Sequence, residues 1–271
     1  MSVFKDDCLA DEVLLITGGG SGIGFGISKA LADHGAKVVL MGRREDVLKD
    51  AQKNIGTERC HYVAGDVRVG KDCVAAVEET VKKFGKLSIL INAAAGNFLC
   101  PPEQLSENAF KTVMDIDACG TFNMCKASFE SLKNAKTSVI LNISATLHYA
   151  GTYFQAHVAA AKAAVDALTL NLAHEWGEHG IRVVGIAPGA IGDTEGMRRL
   201  APGEAMLKIE KTIPLRRMGK ISDIGDVSVF LSSKAASYIT GEILVVDGGQ
   251  WFSRPPMVPR ALVEKMLAMR T

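Results

Sequence analysis

The sequence predicts an α/β fold, a doubly wound parallel sheet of about seven strands with helices on both faces. Three observations predict it. Short apolar segments alternate with longer segments of helical periodicity, the order that strand–helix–strand crossovers require. Segments such as Ile89-Leu90-Ile91 are apolar at every position, as strands buried on both faces are. A glycine-rich turn, Thr17-Gly18-Gly19-Gly20-Ser21-Gly22-Ile23-Gly24, joins the first strand to the first helix.

Taken in order, Val13 to Thr17 is a strand that runs into that turn, and Gly22 to His34 has helical spacing up to the terminator Gly35. Lys37 to Leu40 is a second strand and Val47 to Ile55 a helix. Tyr62-Val63 is strand-like and leads to Asp66, and Val74 to Phe84 is a helix ended by Gly85. Ile89 to Ile91 is the fourth strand, and Ala109 to Leu132 reads as one long helix. Val139 to Ile143 is a strand, His157 to His179 a second long helix, and Val183 to Ile186 a strand. A helix from Asp223 to Leu231 and a strand from Ile243 to Val246 complete the alternation. No repeat or low-complexity linker interrupts it, so residues 1–271 are expected to form one domain, with a segment near 190–215 covering the substrate.

The bulk composition narrows the class. Of 271 residues 48% are hydrophobic and 23% charged, and the net charge is +1, which argues against a disordered chain and gives no electrostatic case for nucleic acid. No apolar run reaches the roughly 18 residues of a membrane span. Met1 to Asp7 lacks the pattern of a secretory leader. Six cysteines are scattered without a CxxC pair, as expected of small thiols in a reducing compartment, and no metal-ligand pattern occurs.

Glycines placed between a first strand and first helix let the backbone approach a pyrophosphate, while the helix N-terminus offers N–H donors. Gly18, Gly20, Ser21, Gly22, Ile23 and Gly24 are therefore candidate dinucleotide contacts. An NAD site usually carries an acidic side chain at the end of the second strand, to accept from the ribose hydroxyl. Here that strand exits through Arg43-Arg44, which suits a 2′-phosphate and favours NADPH (NADP), unless both arginines are merely solvated.

These motifs, together with Asn92-Ala93-Ala94-Ala95-Gly96, Lys162 and Pro188-Gly189, resemble the short-chain dehydrogenase/reductase family over nearly the whole chain. The resemblance implies a Rossmann-type fold. It implies that Asp66 and Val67 flank the adenine, that Asn92 shapes the exit of the fourth strand, and that Lys162 binds the nicotinamide ribose. Pro188, Gly189, Ile191 and Thr194 would meet the nicotinamide carboxamide. Carbonyl reductases of this family use Asn, Ser, Tyr and Lys. Counting from Lys162, the tyrosine position is Val158, the serine position is Ala145 and the asparagine position is Asp117. Ser144 lies one residue early and would face the other side of its strand. Valine and alanine donate no proton, so carbonyl reduction by the usual route is not expected.

A narrower resemblance fits those losses. Asn92 to Leu99, Thr112 to Asp117, Ala145-Thr146-Leu147, His157, Thr194-Glu195-Gly196 and Arg198-Arg199 are similar to 2,4-dienoyl-CoA reductases, and to their peroxisomal branch in particular. The resemblance implies NADPH-dependent reduction of an acyl-CoA substrate, 2,4-dienoyl-CoA, to 3-enoyl-CoA in unsaturated fatty-acid β-oxidation. Hydride goes to Cδ, and a water protonates Cα. Asp117 would polarise that water and Lys162 would offset the negative charge, although a helix-surface carboxylate and an exposed lysine are the plain alternatives. Arg68, Arg199, Ser106 and Asn108 would meet the CoA phosphates and Phe98 the acyl chain or pantetheine. Surface arginines, a helix cap and a core aromatic are the alternatives there. His157 is left as a pocket, packing or interface residue. A reductase of another activated alkene, such as 2-enoyl-CoA, and a non-catalytic NADPH-binding protein are the competing functions. The two long helices carry more apolar residues than one core face needs, which with the resemblance points to a homotetramer, else a homodimer. Resemblance also points to the peroxisome. The final Met269-Arg270-Thr271 matches a Ser-Lys-Leu type signal only at its basic middle, which leaves a cytoplasmic location as the alternative.

Overall fold

A computed structural model describes residues 3–201, 203–254 and 256–269. Seven parallel strands lie in the order β3-β2-β1-β4-β5-β6-β7. They are β1 (Val13–Thr17), β2 (Lys37–Gly42), β3 (Cys60–Ala64), β4 (Ile89–Asn92), β5 (Ser138–Ile143), β6 (Ile181–Pro188) and β7 (Ile243–Val246). The helices that connect them are α1 (Gly22–Asp33), α2 (Glu45–Ile55), α3 (Gly70–Phe84), α4 (Glu107–Met114), α5 (Gly120–Asn134), α6 (Ala156–Trp176), α7 (Glu195–Leu200), α8 (Glu204–Thr212) and α9 (Ile221–Ser232). A further helix, α10 (Arg260–Ala268), follows β7. The chain winds outward from β1 to β3, then crosses back to start β4 on the other side of β1, which is the Rossmann-type doubly wound arrangement.

The largely apolar character of the inner strands has a direct cause. Alternate residues face opposite sides of the sheet, and both sides are covered. Leu14 and Ile16 pack with Ile27 and Leu31 of α1 and Ile224 and Val229 of α9. Leu15 between them packs with Cys73 and Val77 of α3, Met124 and Cys125 of α5 and Leu172 of α6. On the first face α1 and α9 approach closely enough that a Cβ on Gly26 would stand 1.8 Å from Ile221 Cγ2.

Three features differ from the expectations above, the first being α10, a helix beyond the last expected strand. The expected single helix from Ala109 to Leu132 is broken by a π-helical turn, Asp115–Cys119, where the Gly120 N–H bonds back to the Asp115 carbonyl. One extra residue rotates the apolar face by about 100° but leaves the 3.6-residue period on either side intact, so two short stretches read as one helix. The segment near 190–215 contains α7 and α8, which are too short and too polar to announce themselves by spacing. Arg270 and Thr271 of the C-terminal tripeptide lie outside the described residues. Among those residues no helix is long and apolar enough to cross a membrane, no metal-binding cluster occurs, and all six cysteines are free.

Candidate active site

The C-terminal ends of β1, β4, β5 and β6 converge where the strand order reverses, and a cleft of about 500 Å³ opens there. Its floor begins with the glycine turn. Gly18 has φ +65° and sits so near the loop after β4 that a Cβ would stand 2.8 Å from the Ala93 carbonyl oxygen. A Cβ on Gly24 would stand 2.3 Å from the Gly18 oxygen. Thr17 ties the two loops together, its Oγ1 accepting from the N–H groups of Ala93 and Ala94, each at 3.1 Å. No side chain caps the start of α1 at Ser21, so its first N–H groups meet the cleft mouth without a side-chain acceptor. That cradle fits a pyrophosphate.

Gly18, Gly20, Ser21, Gly22, Ile23, Gly24, Arg43, Arg44, Asp66, Val67, Lys162, Pro188, Gly189, Ile191 and Thr194 all line the cleft. Asp66 is held below the usual carboxylate range by the Arg68 guanidinium bound to it, with Arg43 adding to the field. The Thr194 hydroxyl is committed to the start of α7, where it accepts from the Met197 N–H at 3.1 Å and donates to the Ile191 carbonyl.

Asn92 is the exception among the expected dinucleotide contacts. It is buried, and its amide donates to Asn142 Oδ1 at 2.8 Å and approaches Cys125 Sγ at 3.4 Å. The side chain clamps β4 to β5 beneath the cleft and does not line it. The strand phase explains this, because Asn92 and its partner Asn142 are paired in register and both point into the α5/α6 layer.

At the inner end the expected pair comes together. The Lys162 ammonium donates to the Ile143 carbonyl at 2.9 Å and lies 3.0 Å from Asp117 Oδ2. Asp117 is fully buried at the π-helical turn, and its Oδ1 accepts from the Gly96 N–H at 2.8 Å. Neither residue is on the surface, which removes the plain alternatives for both. Oδ2 faces the ammonium without a directed hydrogen bond and keeps an unused acceptor site. Lys162 lines the cleft, and Asp117 sits behind it.

The positions of the usual phenol and hydroxyl are apolar here. Val158 and Ala145 both line the cleft. Ser144 gives its hydroxyl to Asp166, which also accepts from His148 Nε2 at 2.7 Å and Tyr149 Oη at 3.2 Å. Burial and that carboxylate push the Tyr149 phenol up, and Tyr149 does not line the cleft.

The expected substrate contacts are not brought together. None of Arg68, Phe98, Ser106, Asn108 and Arg199 lines the cleft. Arg68 pairs with Asp66, and Arg199 Nε donates to Glu195 at 3.1 Å. The Ser106 hydroxyl caps α4 by accepting from the Ala109 N–H at 3.2 Å, beside an exposed Asn108. Phe98 stacks on His157 with ring centroids 4.2 Å apart. The cleft wall is instead completed by Asn97, Ile116, Leu147, Met197 and Leu200. Asn97, Ile116 and Leu147 lie within the segments that resemble the dienoyl-CoA reductases. Met197 and Leu200 carry no signal in the sequence, since α7 is a turn and a half of mixed residues.

A family model described as Enoyl-(Acyl carrier protein) reductase matches residues 18–250. A short chain dehydrogenase from Bacillus anthracis superposes with a TM-score of 0.84 at 37% identity, over 92% of this chain and all of that one. The chain belongs to the short-chain dehydrogenase/reductase family. A 3-ketoacyl-(acyl-carrier-protein) reductase from Brucella melitensis, solved with NADH, superposes with a TM-score of 0.84 at 33% identity, over 90% of this chain and 99% of that one. In sequence the chain is 49% identical to the peroxisomal 2,4-dienoyl-CoA reductase, (3E)-enoyl-CoA-producing, of Arabidopsis thaliana, over 98% of this chain and 93% of that protein. The likeness to peroxisomal 2,4-dienoyl-CoA reductases expected from short motifs thus extends along the chain, and a nicotinamide cofactor fits both the family and the cradle.

Proposed function

We propose that the protein is an NADPH-dependent 2,4-dienoyl-CoA reductase that yields a 3-enoyl-CoA. The observation that carries this reading is the buried Asp117–Lys162 pair behind a cleft whose usual phenol and hydroxyl positions are Val158 and Ala145. Such a site lacks the donor that a carbonyl oxygen needs, yet retains charge suited to a proton delivered to carbon. Likeness to the Arabidopsis reductase supports the choice of substrate.

Bound at the glycine cradle, the reduced nicotinamide supplies a hydride. Arg43 and Arg44 would hold the 2′-phosphate, Asp66 and Val67 the adenine, and Lys162 the nicotinamide ribose, with Pro188, Gly189, Ile191 and Thr194 around the carboxamide. As hydride arrives at Cδ the double bonds shift toward the thioester and leave a dienolate. The Lys162 ammonium offsets the charge that accumulates. Asp117 accepts one hydrogen of a water through Oδ2 and turns the other toward Cα, where a C–H bond forms and a 3,4 double bond remains. The hydroxide left behind regains its proton from solvent.

Arg68, Arg199 and the Ser106–Asn108 start of α4, which lie outside the cleft lining, are assigned to the CoA phosphates, the arginines exchanging their carboxylate partners. Phe98 is assigned to the pantetheine. Residues 1–271 act as one domain, with α7 and α8 forming the substrate cover. A homotetramer is favoured by Phe122 on α5 and Leu170 on α6, which are 45% and 50% exposed, and by Trp251 and Phe252 beyond the edge strand β7. A peroxisomal location follows the Arabidopsis relative.

Mixing the protein with NADPH and either a 2,4-dienoyl-CoA or a 2-enoyl-CoA tests the reading. Nicotinamide absorbance should fall with the dienoyl-CoA alone. Consumption with the 2-enoyl-CoA alone would reassign the substrate, and binding without turnover of either would make the protein a non-catalytic NADPH binder.

A further inference from the structure

One buried group near the cleft has no task in the mechanism above. His157 lies in the first turn of α6, is fully buried, and has no hydrogen-bond partner at either ring nitrogen. Its ring stacks against Phe98 at 4.2 Å and 26°. The Phe98 backbone lies near without bonding geometry, and Asp117 is close enough for its charge to act on the ring. Burial outweighs both influences and keeps the imidazole below its ordinary pKa, hence neutral near pH 7.

A buried polar atom left unpaired costs about 1–3 kcal/mol, so native proteins rarely keep one without a partner that arrives from elsewhere. Both ring nitrogens of His157 are such atoms, and Asp117 Oδ2, though 3.0 Å from the Lys162 ammonium, also has no directed hydrogen bond. Packing alone does not explain a histidine at this place, because a phenylalanine would stack on Phe98 and leave nothing unsatisfied. The Asp117 charge acts on the ring, and one water that met both groups would satisfy them.

We propose that His157 is a positioning residue for the water that protonates Cα, its ring N–H holding the water oxygen while Asp117 Oδ2 accepts one of the hydrogens. This inference rests on the dienoyl-CoA reading above. A neutral ring supplies one donor, which with the Lys162 ammonium stabilises the oxygen as it gives up its proton and takes on negative charge. The second hydrogen of the water is then free to point at Cα. No electrons pass through His157 and its own protonation state is unchanged.

The test compares wild type, His157→Phe and His157→Asn with NADPH and a 2,4-dienoyl-CoA, in light and heavy water. Phenylalanine preserves the stack and removes the donor, while asparagine restores an N–H. We expect kcat to fall on the order of 100-fold in the phenylalanine variant. NADPH affinity should hold, the solvent isotope effect on kcat should rise, and asparagine should recover part of the loss. A phenylalanine variant with wild-type kcat overturns the inference. So does a loss with an unchanged isotope effect and no recovery by asparagine, which marks a structural histidine. Should the phenylalanine variant not fold, an unchanged isotope effect in His157→Asn decides against the proposal and a raised one decides for it. A wild-type protein that consumes no NADPH with dienoyl-CoA overturns the functional reading as well. Normal wild-type turnover with unaffected His157 variants removes only this inference.

Discussion

Replacing Lys162 by Met probes the buried pair most sharply, because the change removes a charge while keeping most of the side-chain volume. Asp117 is fully buried and loses the ammonium 3.0 Å from its Oδ2, retaining only the Gly96 N–H. Breaking a buried ion pair from one side costs about 3–5 kcal/mol, since a carboxylate is left without its countercharge. For 271 residues the unfolding entropy is roughly 0.6 kcal/mol per kelvin, so Tm should fall by about 5–8 °C. Calorimetry or circular dichroism reads this directly. A double variant, Lys162→Met with Asp117→Leu, removes both charges and should recover most of that loss while remaining inactive. The comparison separates stability from catalysis. A single variant as stable as wild type, or a double variant less stable than the single, would refute the view that these two groups compensate each other.

Three more outcomes follow from the cleft. Gly24→Ala sets a Cβ 2.3 Å from the Gly18 oxygen, so the cradle must shift, and NADPH affinity measured by calorimetry should drop at least about 10-fold. Arg43→Ala/Arg44→Ala should raise KM for NADPH by roughly 10- to 100-fold, the worth of a charge-assisted hydrogen bond, and leave KM for NADH nearly unchanged. His157 has its folded pKa lowered by burial, so the unfolded chain binds the extra proton first. Stability should therefore be full above the unfolded value near 6.5 and decline as pH falls below it, with a shallower decline in His157→Phe when urea melts are taken across that range.

Much of this architecture is legible in the amino-acid sequence. The inner strands announce themselves because both faces are covered, which makes most positions apolar, and the turn from Thr17 to Gly24 marks where two loops must nearly touch. Counting four residues back from Lys162 finds Val158, and the family resemblance marks Ala145 and Asp117 as the serine and asparagine positions. The rest stays hidden for physical reasons. A π-helical turn keeps the helical period on either side and shifts only its phase, which stretches as short as α4 and α5 do not expose, so the inward turn of Asp117 appears only in the folded helix. Asn92 carries a family motif, yet strand phase turns it into a clamp under the cleft. Arg68, Arg199 and Ser106 are chemically suited to phosphate, but Asp66, Glu195 and the Ala109 N–H already occupy them, and a sequence does not display such competition. His157 shows its unpaired nitrogens only once its surroundings are known.

A water held at the buried Asp117–Lys162 pair is the proposed source of the proton that reaches Cα, and the fate of that proton can be followed atom by atom. The reaction is run in heavy water with NADPH and a 2,4-dienoyl-CoA, and deuterium in the product is located by NMR. A 3-enoyl-CoA with one solvent deuterium at Cα and none at Cδ is expected, with no product from Asp117→Ala. A 2-enoyl-CoA carrying deuterium at Cγ, or an Asp117→Ala variant with normal turnover, would show that the proton comes by another route.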